Sequence, residues 1–305
     1  MRTLFFLFSV PLLIWSCSGC GHNEAAPVDE TIPDSAQLRI AVMPTLDCLP
    51  LYVADKLNLF EEQGLDVSLL RYQAQMDCDT SLLRGRANAV VTDLVRATRM
   101  MKEGAELEYV TATDAFWQLL ASRNARISKL SQLDNKMVAM TRFSATHLLT
   151  DKAVDSARVK TERVFRIQIN DVDVRLNMLR TEIMDALWLP EPQATDARNA
   201  SANVLLDTRQ MDYRLGVVAF RKAAATERQT SLFKKAYNQA CDSINERGFQ
   251  AYSHIIRDCC HASPSMLDSL PETQFRHAEM PRESDLKRAS EWLQNIQTEK
   301  NVEKQ

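Results

Sequence analysis

Short polar segments follow several apolar runs of this sequence, and their residue types suit the binding of a small solute. Each segment places hydroxyl or carboxylate side chains at the start of a helical pattern, where backbone N–H groups are free. These side chains and N–H groups can bind a small solute through hydrogen bonds and charge. These segments lie at 44–48, 73–79, 92–93 and 141–147, each shortly after a predicted strand.

Carboxylates in the first two segments predict the charge of the ligand. Asp47, Asp77 and Asp79 stand at predicted helix starts, where the helix dipole favours an anion by about 0.3–1 kcal/mol. If these acids line one cleft, a cationic or amine-bearing ligand fits better than an oxyanion. The alternative, that Asp47, Asp93 and one of the other two acids only cap helices, stays open at this stage.

A tryptophan and a glutamate stand out in the segment 185–197. Trp188 is predicted to end a strand, and Glu191 lies between two prolines at a helix start. An indole at the carboxyl end of a strand can cover a ring-shaped ligand, or it can belong to the core; Trp117 is a second, weaker candidate. Together with the acids, an indole favours a flat nitrogenous ring or an aromatic amine. His147 is interpreted as a structural or rim residue.

Several classes of function are disfavoured by the sequence. The chain has 305 residues, a net charge of −3 with acids and bases interspersed, and only 7 glycines. It contains neither a GxGxxG nor a GxxxxGK[ST] motif, so dinucleotide and P-loop sites are not expected. Nothing suggests nucleic-acid binding. Cys259, Cys260 and His261 lack the second ligand pair of a zinc site, and we therefore expect no cofactor and no metal.

Apolar and helical patterns alternate along most of the chain. Ten strand-like runs end at about residue 220, with helical patterns between most of them, which predicts an α/β fold with parallel sheets and helices on both faces. Three helical stretches follow, at 224–247, 249–258 and 283–298. The asymmetry predicts two doubly wound α/β lobes joined by a two-strand hinge. Crossings are expected at 111–116 and 209–216, and the helical C-terminal tail is expected to pack on the first lobe.

The first residues have the features of an export signal. Arg2 precedes an apolar stretch at 4–15, which is too short to span a bilayer. Residues 14–17 resemble a bacterial lipobox with Cys17 as the lipidated residue; Cys20 and an ordinary cleaved signal are the alternatives. The predicted organisation is a lipoprotein signal peptide at 1–16, a flexible tether at 17–36, lobe 1 at 37–115, lobe 2 at 116–210, and the lobe 1 return with the C-terminal helices at 211–305.

Seven cysteines in an exported chain raise the question of disulfides. Cys48 and Cys78 follow neighbouring strands, and a bond between them would stiffen one wall of the site. Cys241 precedes Cys259 and Cys260 across a predicted helix–turn–helix. Free buried thiols are the third interpretation, and spacing alone does not choose among the three.

Four segments together resemble one family. "LRIAVMPTLDCLPLYVADKLNLFEEQGLDV", "LLRGRANAVVTD", "LSQLDNKMVAMTRFSATHLLTDKAV" and "DALWLPEPQATDA" are similar, in this order, to the signatures of type II periplasmic solute-binding proteins. The similar branch serves importers of sulfonate, nitrate, taurine and thiamine-pyrimidine precursors. Asn88 and Asn135 depart from the aspartate and the glycine that are usual there.

The resemblance implies a receptor of an ABC importer. It implies two lobes that close over one small-molecule solute, and an exported protein that is lipid-anchored on the periplasmic face of the membrane. Its partners would be a permease and an ATPase, and we expect a monomer that is not an enzyme. An enzyme on the same fold, of the pyrimidine-synthase or menaquinone-pathway type, and a ligand-sensing lipoprotein are the alternatives. The implied ligand positions are Thr45, Leu46, Asp47, Thr92, Asp93, Ser144, Ala145, Thr146, Trp188 and Glu191.

Overall fold

The computed structural model describes residues 36–222 and 224–302, with side chains up to residue 296. The signal peptide, Cys17, Cys20 and nearly all of the predicted tether lie outside these residues. Within them, ten strands alternate with helices and form two five-stranded sheets. The predicted α/β class with two lobes is confirmed.

The two sheets have equivalent strand orders. The strands are β1 (Leu38–Val42), β2 (Val67–Arg71), β3 (Ala89–Asp93), β4 (Leu107–Ala112), β5 (Trp117–Ala121), β6 (Lys136–Met140), β7 (Val164–Gln168), β8 (Ala186–Pro190), β9 (Asn203–Asp207) and β10 (Gly216–Arg221). The first sheet has the order β2-β1-β3-β10-β4, and the second has the order β7-β6-β8-β5-β9. We call each sheet with its flanking helices a lobe, first and second in this sense.

Helices flank both sheets and extend past the last strand. They are α1 (Leu49–Lys56), α2 (Leu59–Glu62), α3 (Gln75–Leu83), α4 (Leu94–Lys102), α5 (Ala145–Ala157), α6 (Val172–Arg180), α7 (Gln193–Asn199), α8 (Glu227–Arg247), α9 (Ser253–Cys260), α10 (Pro264–Leu267) and α11 (Glu283–Val302). Among the described residues, no helix combines the length and apolar character needed to cross a bilayer.

The expectation of purely parallel sheets is wrong for one strand in each lobe. β1 pairs in parallel with β2 and β3, whereas β10 is antiparallel to both β3 and β4. In the second lobe β5 is antiparallel to β8 and β9. The reason is the crossing: β5 and β10 enter their sheets directly from the other lobe, without the returning helix that makes two strands parallel.

The two crossings lie side by side, as predicted. The backbone N–H of Thr113 donates to Gly216 O at 3.0 Å, and that of Trp117 donates to Thr208 Oγ1 at 2.9 Å. Glycine is required at 216 because a Cβ there would lie 2.2 Å from Thr113 Oγ1 and 2.5 Å from Ala115 Cβ. The hinge is therefore built from two closely packed segments.

The helical tail packs on the first lobe, as predicted, and also reaches the second. α8 and α9 pack against α1, and α11 packs against α4. α11 also contacts α5, where Trp292 Nε1 donates to Asp151 Oδ2 at 2.9 Å. At α10, Asn199 Nδ2 of the second lobe donates to Ser269 Oγ at 2.8 Å. The tail thus connects the two lobes outside the hinge.

The five cysteines that the structure describes are buried free thiols. Cys78 Sγ lies 3.7 Å from Val42 O, Cys241 Sγ lies 3.3 Å from Arg276 O, and Cys260 Sγ lies 3.6 Å from Thr45 O. The disulfide hypotheses for Cys48 with Cys78 and for Cys241 are therefore wrong, and the third interpretation holds for these residues.

Candidate functional site

A cavity lies between the two lobes, where the carboxyl ends of β1, β3, β6 and β8 converge. This is the edge at which open α/β sheets bind ligands. Its volume is about 60 Å³, well below the ~300–1,000 Å³ of most ligand pockets. Its lining residues are Met43, Thr45, Asp47, Gln75, Val91, Thr92, Asp93, Trp117, Thr141, Ser144, Thr146, Val172, Arg175 and Pro190.

The small volume reflects direct contact between the lobes. The backbone N–H of Leu46 donates to Glu191 O at 2.8 Å, and Gln193 Nε2 donates to Pro44 O at 2.9 Å. On the other side of the cavity, Ala74 forms an isolated antiparallel bridge with Asp171. These contacts hold the lobes closed around the cavity.

Asp47 is held by two hydroxyls and does not cap a helix. Thr45 Oγ1 donates to its carboxylate at 2.6 Å and Thr113 Oγ1 at 3.1 Å. α1 is preceded instead by Cys48, which makes no side-chain cap. Burial raises the pKa of Asp47, while the two hydroxyls oppose that shift. The carboxylate is therefore positioned at the cavity without a cationic partner of its own.

Asp93 connects the two lobes. Its Oδ1 accepts the Arg96 backbone N–H at 3.0 Å, so the predicted cap of α4 is confirmed. The backbone of Ala145, at the start of α5 in the second lobe, faces this carboxylate and acts to lower its pKa. Asp93 is only 6% exposed, and this burial raises its pKa to about 7, although Arg96 acts in the opposite direction.

The other two acids lie elsewhere. Asp79 is buried and accepts from Arg96 Nε at 2.5 Å, and it also accepts from Thr92 Oγ1 at 3.3 Å. Asp77 is exposed in the first turn of α3, and neither acid caps that helix. The predicted cluster of three acids is thus wrong, because Arg96 neutralises Asp79 and Asp77 faces solvent.

The start of α5 forms the opposite wall. Ser144 Oγ accepts the Thr146 backbone N–H at 3.2 Å, which confirms the predicted cap. Ser144 Oγ also donates to Thr141 O at 2.6 Å. His147 packs outside the cavity, with its ring centroid 4.9 Å from that of Trp292. The lining hydroxyls are therefore engaged within their own loop.

Arg175 is the charged lining residue that the sequence analysis missed. It lies on α6 and is 5% exposed. Nη1 donates to Trp188 O at 2.9 Å, whereas Nε has no hydrogen-bond partner among the described atoms. Burial lowers the pKa of its guanidinium to about 10. Its position on the fourth residue of a helix that follows β7 was the available signal, because the other candidates follow strands in the same way.

Trp188 requires a correction. It is fully buried in the core of the second lobe, and its Nε1 donates to Thr150 Oγ1 at 2.9 Å. The observed β8 continues to Pro190, so Trp188 lies inside the strand and not at its end. Trp117, which begins β5, is the indole that lines the cavity.

Three further predicted residues do not line this cavity. Glu191 accepts from the Thr195 backbone N–H at 2.9 Å and pairs with Arg198 at 2.8 Å. Leu46 is buried beside it, and Ala145 faces Asp93 through its backbone. The structure does bring Thr45, Asp47, Thr92, Asp93, Ser144 and Thr146 together around the cavity.

A family model described as NMT1/THI5 like matches residues 45–222, more than half of the chain. The chain belongs to this family. The matched segment contains every cavity-lining residue except Met43. No curated protein sequence matches the chain. Among the described residues, no group of three or more histidine, cysteine or acidic side chains is arranged to hold a metal.

Solved structures show the same fold at low sequence identity. The alkanesulfonate-binding protein SsuA from Xanthomonas axonopodis pv. citri, bound to MOPS, is 16% identical with a TM-score of 0.72, over 87% of this chain and 93% of its own. The nitrate-binding protein NrtA from Synechocystis PCC 6803 is 11% identical with a TM-score of 0.68, over 77% of this chain and 70% of its own.

A ligand-binding component of an ABC-type import system from Staphylococcus aureus, solved with zinc bound, is 13% identical with a TM-score of 0.72. It matches over 87% of this chain and 93% of its own. These likenesses show the fold of a type II periplasmic binding protein, as the sequence resemblance implied.

Proposed function

We propose that this protein is the substrate-binding component of an ABC importer and that it captures a small organic solute between its lobes. The observation that supports this most directly is the cavity itself, which both lobes line with helix starts and polar side chains. The family and the fold agree with such a role.

Capture follows from a two-state equilibrium between open and closed lobes. A solute that touches both walls binds the closed form more tightly and shifts the population by that difference. A change from 1:99 to 99:1 requires about 5.5 kcal/mol of differential binding. Contacts such as Leu46 with Glu191 join the two lobes in this structure, and we infer that they contribute to the same equilibrium.

The proposed solute has an amine or a nitrogenous ring, such as a thiamine pyrimidine precursor. Asp47 and Asp93 supply the negative charge, and Trp117 takes the role that the sequence assigned to Trp188. Because the closed cavity is only about 60 Å³, a complete ring requires the lobes to close less far than they do here.

We further propose where the protein lies and which proteins it works with. The leader at 1–16 and the candidate lipidation site Cys17 support export and a lipid anchor on the periplasmic face of the membrane. The closed form would deliver its solute to a permease driven by an ATPase, and the receptor would act as a monomer.

Enzymatic turnover is not part of this proposal. The described lining residues include acids, hydroxyls and one arginine, but neither lysine, histidine nor cysteine. A buried acid with a pKa near 7, such as Asp93, is suited to general-base catalysis, but it would need a second reacting group. Incubation of the purified protein with its solute tests this point, because unchanged solute is expected.

The full chain, extracted from its native membrane and examined by native mass spectrometry, tests the proposed function. A bound small molecule is expected, and small-angle scattering should show a decrease in the radius of gyration when that molecule is added back. The proposal would be contradicted if the protein retained no solute and if small-molecule extracts left its scattering unchanged.

A further inference from the structure

We propose that the solute is a small zwitterion, with an acid group bound by Arg175 and an ammonium group bound by Asp93 and Asp47. This inference rests on the proposed function and specifies the chemical class of its solute. The observations behind it are three charged groups on opposite walls of one cavity, none of which forms a side-chain ion pair among the described residues.

Arg175 supplies the positive wall. A buried guanidinium without a hydrogen bond at Nε is costly, and Arg175 forms no ion pair with any carboxylate that the structure describes. The charge of Asp171 raises the pKa of Arg175, but this does not offset the lowering of that pKa by burial. An acid group in the cavity that Arg175 lines would supply the missing counter-charge.

Asp93 and Asp47 supply the negative wall. Asp93 lies beside Arg96, but the guanidinium of Arg96 is engaged by Asp79. Asp47 accepts from the neutral hydroxyls of Thr45 and Thr113 and forms no ion pair among the described residues. Burial raises the pKa of each of the two lining acids. A cationic group between them would replace the lost hydration with charge pairing.

The start of α5 decides against a solute that carries only an acid group. In many proteins such a helix start binds an anion. Here the Asp93 carboxylate from the first lobe already faces the Ala145 backbone. A second anion at this place would meet a carboxylate, so the acid group of the solute is directed to Arg175 on α6 instead.

Arg175 does not neutralise Asp93 or Asp47. Arg175 and the two acids are held by different elements: α6 in the second lobe, and the segments after β1 and at the end of β3 in the first. Neither acid forms an ion pair with Arg175 among the contacts of the described residues. A solute with both charges therefore bridges the lobes, and the cavity of about 60 Å³ limits it to a few atoms between the charges.

Matched ligands test the inference on the full chain. β-Alanine and γ-aminobutyrate carry both charges, propionate and butyrate lack the amine, and ethylamine and propylamine lack the acid. We expect calorimetric titration and thermal shift to show binding of a zwitterion at least about tenfold tighter than its matched anion and amine, the scale of one charged hydrogen bond. Equal binding of a single-charge ligand, or no stabilisation by either zwitterion, would overturn the inference.

Two substitutions test the positive and the negative wall separately. Arg175→Met should lower zwitterion affinity about tenfold or more and leave amine binding unchanged, whereas Asp93→Asn should lower zwitterion and amine affinity alike and spare the anions. Arg163→Met and Asp77→Asn, which alter exposed residues, serve as matched controls. If Arg175→Met fails to fold, Arg175→Lys is the alternative variant. It retains the charge and should bind the zwitterion more tightly than the matched amine that lacks the acid group.

The solute retained on purification distinguishes this inference from the proposed function. A retained molecule that closes the lobes but carries one charged group, or none, would overturn the zwitterion and leave the receptor role intact. A retained molecule with both an acid and an amine would support both.

Discussion

The Asp93 carboxylate in the first lobe faces the backbone of Ala145, at the start of α5 in the second lobe, and this backbone favours the charged form of the acid. The same carboxylate caps α4 through the Arg96 backbone N–H at 3.0 Å. One buried acid therefore caps a helix of its own lobe and faces the start of a helix of the other lobe, and its protonation state affects both interactions.

The pH dependence of stability provides the first test of this arrangement. Because burial raises the pKa of Asp93 from its usual value to about 7, the folded state binds more protons than the unfolded state between about pH 4 and pH 7. Stability should therefore fall as pH rises through this window. The expected loss exceeds about 1 kcal/mol, since one pKa unit corresponds to about 1.4 kcal/mol.

Urea unfolding at a series of pH values measures this loss, and Asp93→Asn should flatten the profile. Asp47, whose pKa is also raised by burial, leaves a slope of the same sign in that variant. Asp207 does not interfere, because hydrogen bonds from Arg209 and Gln118 lower its pKa and its effect falls below about pH 4. Parallel profiles for the variant and the parent would contradict the assignment to Asp93.

The two tryptophans should respond oppositely to substitution. Trp188→Phe removes the hydrogen bond to Thr150 in a closed core, so unfolding free energy should fall by about 1–3 kcal/mol with solute affinity unchanged. Trp117→Leu, at the half-buried start of β5, should weaken solute binding and cost less stability. Chemical unfolding and titration of the retained solute measure both effects. A loss of affinity in Trp188→Phe alone would return that residue to the site.

Gly216→Ala tests the packing of the hinge. Its Cβ would overlap Thr113 and Ala115, so the crossings must separate and stability should fall by about 1–3 kcal/mol. Ala115→Gly in the same chain removes one of the two overlaps and should restore part of the loss. Thermal unfolding of the single and double variants is the measurement. If Gly216→Ala were as stable as the parent, the close approach of the crossings would be wrong.

Removal of one partner of the buried pair Arg96–Asp79 should lower stability, because it leaves a buried charge unpaired. Arg96→Met leaves the buried Asp79 carboxylate without its cation, which should cost about 3–5 kcal/mol. The double variant Arg96→Met, Asp79→Leu should be more stable than the single one. Arg99→Met, which removes an exposed pair with Glu103, is the control and should change stability by less than about 1 kcal/mol. Denaturant midpoints that rank the single and double variants in reverse order would contradict this account.

The ends of the strands limited what pattern could predict. The run predicted at 183–187 is observed at Ala186–Pro190, a shift that moves Trp188 from the rim of the site into the core. The predicted run 87–91 is observed at Ala89–Asp93, and here the polar residues still reach the cavity. A shift of a few residues is small for the fold, but it changes which side chains face the ligand because successive residues in a strand point to opposite faces.

The sequence by itself determined the α/β class, the two lobes, the side-by-side crossings and the sheet edge at which the cavity lies, because the periodicity and the polar breaks that indicate them are local. Only the tertiary structure decided that Arg96 neutralises Asp79, that Arg175 enters the cavity and that the tail reaches both lobes. These features depend on contacts between residues far apart in the chain, and such contacts are set by how the sheets, helices and lobes pack. The charge of the cavity, and with it the class of solute that we propose, therefore follows from packing and not from any one segment.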